Sequence, residues 1–373
     1  MKNMYLILCA GLCLTTQALS QQLSLPPSGD NQKCVVTQYV GAISHVTVKY
    51  SSPDVNGRMG QIWGQLVPYG LTDLGFGLRT PAPWRAGANE NTVIKFSHDM
   101  TIEGKPLKAG AYGLHLIVEE TGPWTWIFSH NSTAWGSFFY EEKDDALRVQ
   151  VTPEDSEFHE WLTYEFIDRS PESAVLALMW ENKRVPMRIA VQNPNDLYLS
   201  TFEKELQGSV GFQSQNWAAA ANFLAQRDYQ LEKALEWAEA AINSPFIGQE
   251  NFNTLQTKAT VLQKLGKKTE AEATIIAAVR HPTASAFQVH GLGRQLIAGD
   301  MKDKALEVFE INYERFNGAW PTNVGMARGL SAVGRYDEAL KYAKLALAEA
   351  PDQLNKDNLT KAIEKLQMKQ DIN

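Results

Sequence analysis

A short segment, Trp-Arg-Ala-Gly-Ala-Asn-Glu at residues 84–90, gathers an aromatic ring, a guanidinium, an amide and a carboxylate around one glycine. It immediately precedes a strand-like run at residues 92–96. A guanidinium at such a junction can receive an acidic group of a ligand, while the neighbouring amide and carboxylate orient it. The ligand-binding candidates of this region are Arg58, Trp84, Arg85, Asn89 and Glu90.

The same segment also supports a structural interpretation. Arg85 and Glu90 can form a partly buried ion pair, and Asn89 can bond the backbone of the turn. Gly87 would then permit a left-handed bend. Catalysis by Glu90 would require a second carboxylate or a base, which the sequence does not place near it. An enzyme, such as a hydrolase acting on an envelope glycan or peptide at Arg85 and Glu90, is therefore kept as the alternative to a binding protein.

A second group of polar residues lies in the carboxyl-terminal half, where Arg294 and Arg328 occupy equivalent positions of a 34-residue repeat. Stacked helical repeats form a concave groove, and a row of cations there suits an acidic or C-terminal peptide tail. The peptide-groove candidates are Gln256, Lys264, His290, Arg294 and Arg328. The alternative is that these are ordinary solvated charges on a helix face.

Several common catalytic and cofactor motifs are absent from the sequence. It contains no Gly-rich phosphate loop before a helix, no HExxH motif and no GxSxG motif. The histidines of the amino-terminal half are fifteen or more residues apart, and His115 is expected at the surface or between elements rather than on a metal. The sequence therefore predicts no cofactor and no metal site.

Composition limits the class of partner. The chain has 373 residues, 44% hydrophobic and 21% charged, with ten tryptophans and fifteen phenylalanines to fill a core. This length indicates two domains. The formal net charge of −7 offers no basic field for a phosphate backbone, so nucleic acid is not expected as a partner. The sequence does not indicate an oligomeric state.

Residues 1–20 have the features of a secretory signal peptide. Lys2 precedes a short apolar run, and a small-x-small cleavage site ends at Ser20. The run is too short to span a bilayer, and leucine before each leader cysteine argues against a lipoprotein anchor. We expect a periplasmic or secreted protein without a transmembrane segment in the mature chain. Cys34 would then be the one remaining cysteine, in a buried strand.

The amino-terminal half has a hydrophobic period of two. Leu162, Tyr164 and Phe166, for example, alternate with polar residues. Short strands without intervening helices predict an antiparallel β sandwich over residues 21–193. The polar residues 181–183 predict a turn that joins two strands as a hairpin.

The rest of the chain has a helical period of 3.6. Residues 194–214 are predicted to form a helical linker. A repeat of small residues follows over 215–353, with Ala305 and Ala339 at equivalent positions 34 residues apart. Four such units, ended by a polar capping helix and tail at 354–373, predict an all-α solenoid.

Both halves resemble known families. The repeats resemble the tetratricopeptide repeat family, best at residues 320–353, where Gly-Arg-Tyr-Asp-Glu-Ala-Leu at 334–340 fits its pattern. The amino-terminal half resembles the bacterial exported family known as domain of unknown function 2911 over about residues 34–191. The segments that carry this resemblance are residues 46–53, 57–58, 66–70, 84–90, 102–113 and 135–136.

The second resemblance implies an exported β-rich domain that is often followed by tetratricopeptide repeats, and it brings no known activity. In this chain residues 71–83 lie between the Pro-Tyr-Gly and arginine motifs, which other members place closer together. We expect a binding or assembly module of the cell envelope whose repeat groove captures a peptide or protein partner.

Overall fold

The computed structural model describes Gly29 and residues 31–373. The predicted signal peptide lies outside the described residues. The chain divides into two compact units, one that ends at Gln192 and one that begins at Asn193. Among the described residues, no helix combines the length and hydropathy that a membrane crossing requires.

The first unit contains two antiparallel sheets. Its strands are β1 (Gln32–Val40), β2 (Ser44–Ser52), β3 (Val93–Phe96), β4 (Met100–Ile102), β5 (Lys105–Leu107), β6 (Gly110–Ile117), β7 (Trp124–Ser129), β8 (Asp145–Val151), β9 (Glu154–Ile167) and β10 (Ser173–Val191). One sheet has the order β1-β2-β3-β6-β7-β8 and the other the order β5-β4-β10-β9. Every pairing is antiparallel, which confirms the predicted sandwich.

Aromatic side chains fill the space between the two sheets. Trp124, Trp126 and Phe128 alternate along β7, and each is at most 3% exposed. Tyr164 of β9 meets them from the other sheet, with its ring centroid 6.4 Å from that of Trp126. The period-two pattern of the sequence therefore marks the buried face of the sheet.

The outer face of β6 and β7 is also covered, by loop segments instead of a sheet. Ile127 of β7 is fully buried and packs in a cluster with Ala82 and Tyr140, both from loops. His115 of β6, on the same face, is 2% exposed, and its ring lies 5.4 Å from that of Tyr140. His115 is thus buried between a strand and a loop.

Two local predictions are wrong. Residues 181–183 form no hairpin turn, because β10 continues through them and pairs with β9 on both sides. Glu181 has a φ of 52° and the register shifts around it, so these residue types mark a bulge within one long strand. Cys34 is only partly buried, since it lies on β1 at the edge of its sheet.

The second unit is entirely helical. Its helices are α1 (Pro194–Leu206), α2 (Ser214–Gln226), α3 (Leu231–Asn243), α4 (Phe252–Lys264), α5 (Lys268–Arg280), α6 (Ala286–Ala298), α7 (Lys302–Arg315), α8 (Trp320–Ala332), α9 (Tyr336–Ala348) and α10 (Gln353–Gln367). From α2 onward consecutive helices pack in pairs, and first helices of successive pairs also contact each other, as α2 contacts α4 and α6 contacts α8. This arrangement confirms the predicted solenoid of tetratricopeptide-like repeats.

Glycines allow very close helix packing around Phe309 of α7, which is fully buried. A Cβ atom on Gly293 of α6 would lie 2.4 Å from the Phe309 ring. On Gly325 and Gly329 of α8 the corresponding distances would be 2.5 Å and 2.8 Å. Any side chain at these positions would therefore force α6 or α8 away from α7.

Two alanine substitutions on α6 test this packing. Gly293→Ala should lower the free energy of unfolding by about 1–3 kcal/mol, because its methyl group overlaps Phe309. Gly291→Ala is the matched control, because a Cβ there meets no atom within 4 Å. It should raise the free energy of unfolding by about 0.5–1 kcal/mol through helix propensity alone. Urea unfolding followed by circular dichroism measures both, and equal effects would contradict the packing.

Candidate functional site

Residues 85–91 form a loop that projects away from the segment whose backbone is hydrogen-bonded to β6. The amide of Leu114 donates to Thr92 O at 2.8 Å, and the amide of Leu116 donates to Trp84 O at 2.8 Å. Two amides that are two residues apart on β6 therefore bond carbonyls that are eight residues apart on the partner. The residues between those carbonyls project out of the sheet as one loop.

Hydrogen bonds from both sheets fix this loop. The carbonyl oxygen of Ala86, a fully buried residue, accepts from the Tyr164 hydroxyl at 2.8 Å and from Thr92 Oγ1 at 3.1 Å. The amide of Ala88 donates to Ser51 O at 3.0 Å. The loop is thereby bound to β2 of one sheet and β9 of the other.

The left-handed bend predicted at Gly87 lies instead at Ala86 and Asn89. Ala86 has a φ of 51° and Asn89 a φ of 55°. Gly87 is required for space, because a Cβ there would lie 2.6 Å from Thr92 Oγ1. The glycine therefore lets the loop close onto β3.

Arg85 does not form the predicted ion pair with Glu90. Its Nη1 donates to Asn89 O, and its Cζ lies 5.0 Å from the centroid of the Phe138 ring. A Cβ on Gly136 would lie 2.3 Å from the same Cζ, so only glycine fits there. Burial lowers the pKa of the Arg85 guanidinium. Across Gly29 and residues 31–373, no carboxylate lies within salt-bridge distance of Arg85.

Glu90 points to a different partner. Lys33 Nζ lies 2.8 Å from Glu90 Oε1, and the Ser51 hydroxyl donates to Glu90 Oε2 at 3.1 Å. The hydrogen bond from Lys33 lowers the pKa of Glu90, with Ser51 adding to the effect. An ionised, partly exposed carboxylate held in this way is not a general acid, so the structure gives the hydrolase alternative no support.

A cavity of about 530 Å³ opens beside the loop. Four of the five candidates line it, namely Arg58, Trp84, Arg85 and Asn89, whereas Glu90 does not. The sequence missed other lining residues because they come from distant segments: Asp54, Leu74, Ser137 and Trp180. The loop thus brings its arginine and tryptophan to a concave, mainly apolar site, the usual form of a small-molecule pocket.

The positive charge of Arg58 is compensated by a nearby carboxylate within this cavity. Its Nε donates to Val55 O and its Nη2 to Asp54 O, both at 2.9 Å. The same Nη2 lies 3.5 Å from Asp54 Oδ1. Arg58 and Asp54 therefore contribute little net charge, which leaves Arg85 as the unbalanced cation among the described lining residues.

Four tryptophans form one cluster, and two of them line the cavity beside the arginine. The ring of Trp63 lies 5.8 Å from Trp84, 5.0 Å from Trp124 and 5.8 Å from Trp180. Trp84 and Trp180, which both line the cavity, are stacked at 6.0 Å with an interplanar angle of 17°. Trp84 Nε1 also donates to Gly87 O at 3.1 Å. This wall of the cavity is therefore rigid and apolar.

A buried histidine, His115, is hydrogen-bonded to a residue that lines the cavity. His115 Nδ1 lies 2.8 Å from the hydroxyl of Ser137, a cavity residue that is 1% exposed. Burial lowers the pKa of His115 to about 4, and the charge of Arg85 contributes to this. The imidazole is consequently neutral at physiological pH.

The helical unit contains another cavity, of about 540 Å³, which is more polar and is lined by α6, α8 and α10. Three of the five groove candidates meet there, His290, Arg294 and Arg328. Lys361 and Lys365 of α10 join them. The sequence missed these lysines because α10 was treated as a cap with a wet outer face, although their spacing of four places both on one helix face.

The other two groove candidates lie elsewhere. Lys264 Nζ is 2.8 Å from Asp228 Oδ1. Gln256 Nε2 donates to Gln295 Oε1 at 3.1 Å, and Gln256 lines a separate, less charged cavity. Within the described part of the chain, no group of three His, Cys, Asp or Glu side chains is placed to hold a metal ion.

An antiparallel sandwich joined in sequence to tetratricopeptide-like repeats is the class of protein that these two units define. Residues 31–189 match the model of a family described as "Protein of unknown function (DUF2911)", which confirms the predicted resemblance. No curated protein matches the chain. The chain is similar to the solved MamA AMB-1, with 15% identity over 42% of this chain and 82% of that chain and a TM-score of 0.27. It is also similar to YrrB, described as a TPR protein with an unusual peptide-binding site, with 21% identity over 45% of this chain and 84% of that chain and a TM-score of 0.29.

The buried state of His115 predicts a pH dependence of stability. The pKa of a free histidine is 6.5 and that of folded His115 is about 4, so the unfolded chain binds a proton that the folded chain does not. The free energy of unfolding should therefore fall as the pH is lowered from 6.5 towards 4. His115 should account for about 3 kcal/mol of that decrease. His115→Asn should remove that part of the slope, whereas His130→Asn, at an exposed histidine of the same unit, should not. Denaturant unfolding of the three proteins at several pH values measures it, and parallel slopes would contradict the prediction.

Proposed function

We propose that the protein is an exported binding module of the cell envelope whose helical repeats capture an acidic segment of a peptide or protein partner. The observation that carries this proposal is the cationic cavity of α6, α8 and α10. None of the described residues that line it is acidic. Concave surfaces of stacked helical repeats are a common place for such partners to bind.

The charge of this cavity favours an acidic ligand. Arg294, Arg328, Lys361 and Lys365 all line it. Burial lowers the pKa of Arg328, and the nearby charge of Arg294 lowers it further, while Asp371 opposes the change. Like charges held together in a partly dry site repel one another, and a carboxylate ligand would relieve that repulsion while accepting charge-assisted hydrogen bonds.

Polar atoms without partners add to the case. Trp320 Nε1 is buried without a hydrogen-bond partner among the described residues, and so is His290 Nδ1, although the Pro321 backbone also interacts with the His290 imidazole. Both residues line the cationic cavity, as do the side-chain amides of Asn355 and Asn358. A bound peptide offers backbone and carboxylate groups that can satisfy such atoms.

The envelope location rests on the signal-like residues 1–20 and is tested separately. The protein recovered from a periplasmic or secreted fraction should begin close to residue 21. An intact amino terminus on protein found only with cytoplasmic markers would contradict export.

Peptide binding is tested with a fluorescein-labelled decapeptide of alternating Glu and Gly and its Gln counterpart. Fluorescence anisotropy should show binding of the Glu peptide that weakens with added salt. Arg294→Gln and Arg328→Gln should each weaken it by about 10-fold to 100-fold, since a hydrogen bond to a charged group contributes about 1.5–3 kcal/mol. Lys264→Gln is the matched control, because that cation pairs with Asp228, and it should leave binding unchanged. Equal binding of the two peptides, or equal loss in all three variants, would contradict the proposal.

A further inference from the structure

We propose that the cavity beside Arg85 is a second, independent binding site, for a small monocarboxylate carried on an apolar or aromatic body. The site lies entirely within the first unit and uses none of the residues of the repeats. The inference therefore does not rest on peptide capture.

The charge of Arg85 has no compensating carboxylate among the described residues. Its guanidinium is partly buried, and burial lowers its pKa. Buried charges are normally paired, because removing an ion from water is costly unless another group compensates. Arg58 has such compensation from Asp54, but among the described residues Arg85 has no carboxylate partner. A ligand carboxylate would supply it.

The Arg85 guanidinium retains hydrogen-bonding capacity for a ligand. A guanidinium has five N–H donors. Among the described residues Arg85 uses one nitrogen, Nη1, to bond Asn89 O, and its ring contact with Phe138 holds the group in place. The Ser137 hydroxyl lines the same cavity and is fixed by His115. Since His115 is neutral, this hydroxyl adds a polar contact without adding charge.

The rest of the cavity has the shape and polarity of a site for an apolar group. The stacked rings of Trp84 and Trp180 form an apolar wall, and Pro53, Pro68 and Pro83 contribute further apolar surface. The volume of about 530 Å³ is that of a site for a small organic molecule. Apolar surface beside one cation suits an amphipathic acid whose body packs on the tryptophans.

The balance of charge selects a monocarboxylate. Arg58 and Asp54 offset each other, so the described lining carries an excess of one positive charge. A singly charged carboxylate neutralises it, whereas a doubly charged phosphate would leave a net negative charge in a partly apolar site.

Isothermal titration of the purified protein with a series of ω-phenylalkanoates and their matched amides tests the site. At least one acid should bind saturably and quench tryptophan fluorescence, because Trp84 and Trp180 line the cavity. Its amide should bind at least about 10-fold more weakly, since it lacks the charge that Arg85 recognises. This comparison uses the wild-type protein, so it does not depend on the folding of a variant. If no acid binds up to about 10 mM, or if acid and amide bind equally, the proposal is overturned.

Variants then locate the site. Arg85→Gln should weaken binding of the acid by at least about 10-fold. It should leave binding of the amide unchanged. The matched control is Arg79→Gln, an exposed arginine 3.6 Å from Asp73 that does not line the cavity, and it should have no effect. Equal losses in both arginine variants would overturn the assignment.

Asp30→Asn removes the carboxylate that lies in sequence between the lining residues Gly29 and Asn31. Binding that appears only in this variant would show that Arg85 serves the chain's own aspartate, and it too would overturn the proposal.

Discussion

One backbone carbonyl, that of Ala86, determines where the arginine loop stands. It accepts hydrogen bonds from Tyr164 of one sheet and from Thr92 beside the other, in a place fully shielded from water. A carbonyl that lost these donors would remain buried and unsatisfied, which is costly. Because Ala86 is fixed, Arg85 on one side of it and Trp84 before that are fixed as well. The cavity wall and its cation thus depend on an interaction that involves neither of their side chains.

The two arginine-lined cavities share a physical feature. In each, burial lowers the pKa of an arginine, Arg85 in the sandwich and Arg328 in the repeats. Such an arrangement lowers stability locally, and the surrounding packing must offset the cost. The packing that compensates for this cost near Arg85 is that of the stacked tryptophans. Near Arg328 it is provided by close helix contacts such as those at Phe309. Function-bearing positions are commonly the places where a fold tolerates this kind of local cost.

The architecture of both units was predictable because burial imposes a period on the sequence. Period two marked Trp124, Trp126 and Phe128 as one buried face, and small residues 34 apart marked the stacked helices. The pairing of Arg85 was not predictable, since nearby residues of a loop that leaves the sheet can point to different neighbours. Glu90 turns to Lys33, which is remote in sequence. The lysines of α10 were missed for a similar reason, because only the stacking of helices decides which face of the last helix lines the groove.

The segment at residues 71–83 gives the first unit a part that can be exchanged. Thr72 and Ala82 bond each other's backbones at 3.0 Å in both directions, so the two ends of the segment meet. Between these ends, Leu74 lines the cavity. The amide of Leu78 donates to the carbonyl oxygen of Phe138, the residue whose ring contacts Arg85. A loop with joined ends can change in length or sequence between those ends without altering the strands that carry it, provided that Ala82 still covers Ile127. Substitution between these ends can therefore change the shape of the cavity while Arg85 and the two lining tryptophans stay unchanged.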